Sequence, residues 1–210
     1  MELVSLSPEG RILLTLKHGK HTYSELKFET ELSDRWLTIK LEELIREEVV
    51  QKYERWYGLR RGITTSPYEI SLYMSFQARR IADNLARLNF VRAIILFGRV
   101  AQKRASEYSD LDLIIVVRGP FDRAKRMVTL KLTILEKRYH VTVEPLIMKK
   151  EDFLSNLRSE EGGIIYGVAE GYRVLVDRTG VVTRDLQNRI EQIKSSCEYL
   201  EEGRIWLRVK

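Results

Sequence analysis

Cysteine is almost missing from this 210-residue chain, with Cys197 standing alone, so no internal disulfide framework can form. Histidine is nearly as scarce. His18, His21 and His140 show no metal-ligand spacing with one another or with Cys197, which argues against a zinc site. Long apolar runs are lacking too: "AIILF" and "LIIVV" are the longest, far short of the roughly 18 residues that span a bilayer. The N-terminal "MELVSLSPEG" has no basic-then-apolar signal-peptide layout. These absences predict a cytoplasmic protein without a membrane role. Internal repeats and low-complexity tracts are absent as well.

What is present is the composition of a folded globular chain, 44% apolar and 31% charged, with a charge-rich lean toward thermophile style. The length suits one large domain or two small ones. Net charge is +6, unevenly spread. Residues 1–62 are balanced between acid and base. Residues 79–104 hold Arg79, Arg80, Arg87, Arg92, Arg99, Lys103 and Arg104 against Asp83 alone. Such a window reads either as a polyanion-binding surface or as a solvated helix face.

Ser7-Pro8 opens a short helix with Ile12, Leu13 and Leu16 inward, ending at the Gly19 turn. Thr22 and Glu25 have capping-box spacing for a second helix, with Leu26 and Phe28 inward. Ser33-Asp34 caps a third, carrying Leu37, Leu41, Leu44 and Ile45 on one face. "VVQKYERWYGLRRG" then reads as a hairpin. Three short helices and a hairpin outline a winged helix-turn-helix module over residues 1–62. A break near "RRGITTSP" begins a second domain, 63–210. Ser66-Pro67 with Glu69 starts a helix reaching about Leu88, its last third presenting arginines outward.

Strands "VRAIILF", "LDLIIVV" and "HVTVEPLIM" follow, the last two separated by a helix from Asp122 to about Arg138. Helices near 151–159 and 164–170, a strand "YRVLVD", and a final helix capped by Thr183 complete an α+β pattern. Leu186, Ile190, Ile193, Cys197 and Leu200 fall at helical spacing on that last helix, which makes Cys197 a core residue.

The chemistry concentrates in "FGRVAQKRASEYSDLDLIIV", residues 97–116. Alternate strand residues share a face, so Asp110 and Asp112 point the same way, about 7 Å apart. Two such carboxylates repel unless a cation lies between them, and Mg²⁺ prefers carboxylate oxygens. Asp-x-Asp alone is common and also fits a solvated strand end. A third acid, Glu144, stands among Val141, Val143 and Pro145 on the later strand. If the two strands are neighbours, Glu144 completes a three-carboxylate cage.

This stretch resembles the signature of the DNA polymerase β superfamily of nucleotidyltransferases, closest to its minimal archaeal and bacterial members. Gly98, Ala101, Ala105, Ser109, Asp110 and Asp112 fall at matching positions. The resemblance implies a nucleotidyltransferase-fold mixed sheet with flanking helices. It also implies metal-dependent transfer of a nucleoside monophosphate from a nucleoside triphosphate, ATP by default, to a hydroxyl. Asp110, Asp112 and Glu144 would hold Mg²⁺ (or Mn²⁺), and Glu144 would act as base. Gly98, Arg99, Lys103 and Ser109 would attend the triphosphate. Arg99 departs from the usual serine: it either grips phosphate or fills the pocket. Some minimal members adenylylate a partner toxin and others modify aminoglycosides, so the acceptor is a protein or a small molecule.

The N-terminal module adds a DNA reading through residues 33–61, where Arg35, Lys40, Lys52, Arg55, Arg60 and Arg61 are basic. Glu42, Glu43, Glu47 and Glu48 oppose it. Trp36, Trp56 and Tyr57 suit an interdomain or homodimer surface. The alternative function is therefore a DNA-binding regulator, or a partner subunit, with a degenerate nucleotidyltransferase fold.

Overall fold

The computed structural model describes residues 7–60, 67–106, 108–139, 141–159, 163–200, 202–203 and 205–209. Ser66, Arg61, His140 and the side chain of Glu69, all of which figure in the expectations above, lie outside them.

The N-terminal part runs α1 (Pro8–Lys17), β1 (His21–Thr22), α2 (Tyr23–Thr30), α3 (Asp34–Arg46), β2 (Val50–Tyr53) and β3 (Trp56–Leu59). Its helix starts follow local chemistry. Ser7 Oγ accepts from Gly10 N, and Ser33 Oγ accepts from Trp36 N. Thr22 and Glu25 form a reciprocal capping box at the head of α2. β1 pairs with β3, and β3 with β2, all antiparallel. Ile12, Leu16, Leu26, Leu37, Leu41, Leu44 and Val50 close one small core.

The second part is built on a four-stranded sheet of β4 (Val91–Leu96), β5 (Leu111–Val117), β6 (Val143–Lys149) and β7 (Arg173–Asp177), ordered β6-β5-β4-β7. β5 and β6 run parallel; the other pairings are antiparallel. β4 and β5 are buried on both faces, which explains their unbroken apolar runs. Ile94, Leu96, Leu113 and Ile115 pack on α4 (Pro67–Leu85) and α6 (Phe121–Tyr139). Ala93, Ile95, Ile114 and Val116 pack on α7 (Lys150–Arg158), α8 (Ile164–Glu170) and α9 (Val181–Ser196).

Four local expectations change. Phe28 is exposed, not inward; its ring lies under the guanidinium groups of Arg80 and Arg138. The last helix stops at Ser196, and Cys197 and Leu200 belong to β8 (Cys197–Leu200), paired with β9 (Ile205–Arg208). The Ser195 and Ser196 hydroxyls donate to Gln192 O and so compete with the helix at its end. Thr183 lies inside α9; Asp177 takes the capping role, accepting from Thr183 N at 2.8 Å and Thr179 N at 3.1 Å.

The fourth change concerns Arg80, which is buried rather than solvated. Its guanidinium donates to Phe28 O at 3.1 Å and Glu29 O at 3.0 Å, at the C-terminal turn of α2. It pairs with Glu29 and Glu31 and stacks 4.2 Å over Tyr139. One side chain of α4 thus fastens the N-terminal part to the sheet domain. Burial without these partners would be prohibitive for a guanidinium.

Candidate active site at the head of the sheet

The head of β5 gathers the acidic residues. In the parallel pairing of β5 with β6, Asp112 stands opposite Glu144. Register partners on adjacent strands share a face at a strand spacing of about 5 Å. Asp110 precedes the strand by one residue, and Leu111 between the aspartates is fully buried. Glu144 is exposed and Asp112 half-buried.

Gly98 is fitted to this arrangement. It follows β4 at the start of the one-turn helix α5 (Gly98–Ala101), with φ +67°. A Cβ on residue 98 would fall within the Asp112 carboxylate, 2.8 Å from its Cγ. Glycine is therefore required twice, for a left-handed backbone and for the approach of Asp112.

The electrostatics agree with the geometry. Burial pushes the Asp112 carboxyl upward, and the negative charges of Glu144 and Asp110 push it further. Arg99 acts in the opposite sense. The donor set is all carboxylate oxygen, which suits a hard divalent cation such as Mg²⁺. Among the described residues no group of three or more His, Cys, Asp or Glu side chains stands out as a closed metal-ion site. Of the three carboxylates expected from the sequence, Asp112 and Glu144 are set side by side by the β5–β6 register, and the charges of both Glu144 and Asp110 reach Asp112.

The other expected residues divide. Arg99 is exposed on α5 and within electrostatic reach of Asp112. Ser109 is buried, and its Oγ accepts from Ser106 N at 2.9 Å, which fixes the loop entering β5. Lys103 Nζ lies 5.3 Å over the Tyr68 ring at the start of α4. Within the basic window over 79–104, two arginines are engaged and one joins a cationic cluster. Arg79 donates to Leu175 O, Arg80 is buried, and Arg92 lies on β4 near Arg118 and Arg178.

A cavity of about 370 Å³ adjoins Asp110 and extends to α1 and α4. Sequence reasoning missed it because its walls come from four separate segments. No helix among the described residues is long and apolar enough to cross a membrane.

Comparison with known proteins agrees with this geometry. The nucleotidyltransferase domain model matches residues 78–166, a span that contains Gly98, Asp110, Asp112 and Glu144. A protein of Methanocaldococcus jannaschii named "Putative protein adenylyltransferase MJ1305" is 30% identical over 122 residues, covering 54% of this chain and 78% of its own length. Among solved structures, a toxin–antitoxin complex with AMP-PNP is 18% identical with a TM-score of 0.39, covering 56% of this chain and 87% of its own. A tri-AMPylated Shewanella oneidensis HEPN toxin in complex with MNT antitoxin gives 14% and 0.35, over 58% of this chain and 87% of its own. Scores this low leave the assignment to the sequence relative and the domain match. The chain belongs to the nucleotidyltransferases of the DNA polymerase β superfamily.

Proposed function

We propose that this chain transfers a nucleoside monophosphate from ATP to a hydroxyl of a protein acceptor, with Mg²⁺ or Mn²⁺ held by Asp110, Asp112 and Glu144. The observation that carries this reading is the opposition of Asp112 and Glu144 across β5 and β6, with Gly98 fitted against Asp112. Bound divalent ions would neutralise charge on the attacking and leaving oxygens of an in-line displacement. Glu144, the exposed carboxylate of the pair, is suited to accept the proton of the acceptor hydroxyl. Arg99, exposed on α5 with its charge acting on Asp112, offers a fork for phosphate oxygens in place of a serine hydroxyl. Gly98 keeps the α5 entrance free of a side chain. Ser109 holds the loop that carries Asp110. Lys103, over Tyr68, has no part in this scheme. The name of the Methanocaldococcus jannaschii relative favours a protein acceptor. ATP as donor in turn suits a cytoplasmic location.

Residues 1–62 are read as a winged helix-turn-helix module and residues 63–210 as the transferase domain. The order helix, strand, two helices and hairpin, with β3 between β1 and β2, supports that reading. A DNA role for residues 33–61 draws less support. Lys40 is bound to Glu9 and Glu43, each at 2.7 Å, and Arg60 is paired with Glu48. Trp36 is exposed and open to a partner or a second copy.

The test is incubation with Mg²⁺ and α-labelled nucleotides, alone and with cell extract. Label should pass to an acceptor with wild type and not with Asp110→Ala. Wild type and variant behaving alike would leave the fold without this activity.

A further inference from the structure

The cavity beside Asp110 lies between α1 and α4 on one side and the loops entering β5 and β6 on the other. Leu14, Ile70 and Met74 make its interior apolar. The His18 ring lies 4.9 Å from the Tyr73 ring with 30° between planes, so an aromatic pair forms one wall. Ser109, Thr142 and Asp110 give a rim of hydroxyl and carboxylate oxygens, and Lys17 adds a cation. A flat, mostly apolar group with a polar edge matches such a lining, and about 370 Å³ lies in the range of pockets that enclose small ligands.

Resting on the nucleotide-transfer reading above, we propose that this cavity takes the purine nucleoside of the donor, so that α1 of the N-terminal part forms one wall of the nucleotide site. Connectivity supports the placement. Gly98 follows β4, and the aspartates stand at the head of the neighbouring strand β5, Asp110 just before it and Asp112 within it. A triphosphate entering at Gly98 brings its α-phosphate to Asp112 and Asp110. The nucleoside attached to that phosphate then lies next to Asp110, where the cavity opens. A purine extends the His18–Tyr73 stack with more overlap than a pyrimidine. The apolar floor accepts a neutral base and rejects a polycationic sugar.

The experiment is equilibrium binding of ATP, CTP and inorganic tripolyphosphate, each with Mg²⁺, to the full chain. Wild type is compared with His18→Ala and Val141→Trp. His18 is exposed and Val141 half-buried, so neither change removes a core side chain. Wild type should bind ATP more tightly than CTP or tripolyphosphate. His18→Ala should weaken ATP at least about fivefold and leave tripolyphosphate unchanged. Val141→Trp, which fills the cavity, should reduce ATP to the affinity of tripolyphosphate. ATP affinity unchanged in both variants overturns the assignment. So does normal ATP binding with transfer lost, since the cavity would then serve the acceptor. Tripolyphosphate binding with no gain from the nucleoside refutes this inference alone. Failure of wild type to bind either compound refutes the transfer reading with it.

Discussion

Gly98 and Asp112 occupy each other's space: the glycine has no Cβ, and the Asp112 carboxylate lies where one would be. Gly98→Ala must therefore displace Asp112 and also strain a backbone at φ +67°. The strain costs about 1–2 kcal/mol, read as a lower denaturation midpoint. Displacing a reacting-centre group by about 1 Å costs on the order of a hundredfold, so transfer should fall at least that far.

Asp112 sets function against stability. Its carboxyl is raised by burial and by Glu144 and Asp110, so the folded state favours the protonated form. The metal-free protein should therefore lose stability as pH rises through the folded value of Asp112, and regain it as pH falls. Asp112→Asn should raise the melting temperature of the metal-free protein at pH 7 and flatten that pH dependence, while transfer is lost. Thermal melts of wild type and Asp112→Asn at a series of pH values from about 4, the ordinary aspartate value, up to pH 7, with EDTA, check both signs.

Arg99 sits exposed beside Asp112, which favours a phosphate-gripping role over a blocking one. Arg99→Ser should weaken ATP binding by roughly tenfold, the scale of one charge-assisted contact. Tighter binding by the variant would mean that the arginine obstructs the site.

Arg80 is expected to be a costly truncation. Arg80→Met leaves Glu29 buried beside an apolar side chain, a loss of about 3–5 kcal/mol in urea denaturation. The pair Arg80→Met with Glu29→Leu should recover only part of it: no buried charge remains, but Phe28 O and Glu29 O lose their donor.

Much of the site and sheet was readable from sequence because it obeys short periods. Continuous apolar runs marked β4 and β5, and the Thr22–Glu25 spacing marked the head of α2. Gly98, Asp110, Asp112 and Glu144 came from one motif and one strand. Where tertiary contacts decide, the sequence was silent or misleading. Arg80 looks like any surface arginine until the end of α2 is packed against it. Cys197 and Leu200 keep helical spacing with Ile193, yet their backbone pairs with β9 instead. Asp177 caps α9 from within a preceding strand, a position no local capping pattern indicates. The cavity joins residues more than 120 positions apart, and no window of sequence contains it.

Asp112 and Glu144, opposed across β5 and β6, are the core of the proposed metal–nucleotide site. Its most direct test is Mn²⁺ binding followed by electron paramagnetic resonance, with a non-hydrolysable ATP analogue present, on wild type, Asp112→Asn and Glu144→Gln. Saturable binding by wild type, abolished by Asp112→Asn and weakened by Glu144→Gln, is the predicted result. Equal binding by all three proteins, or none by wild type, would contradict it.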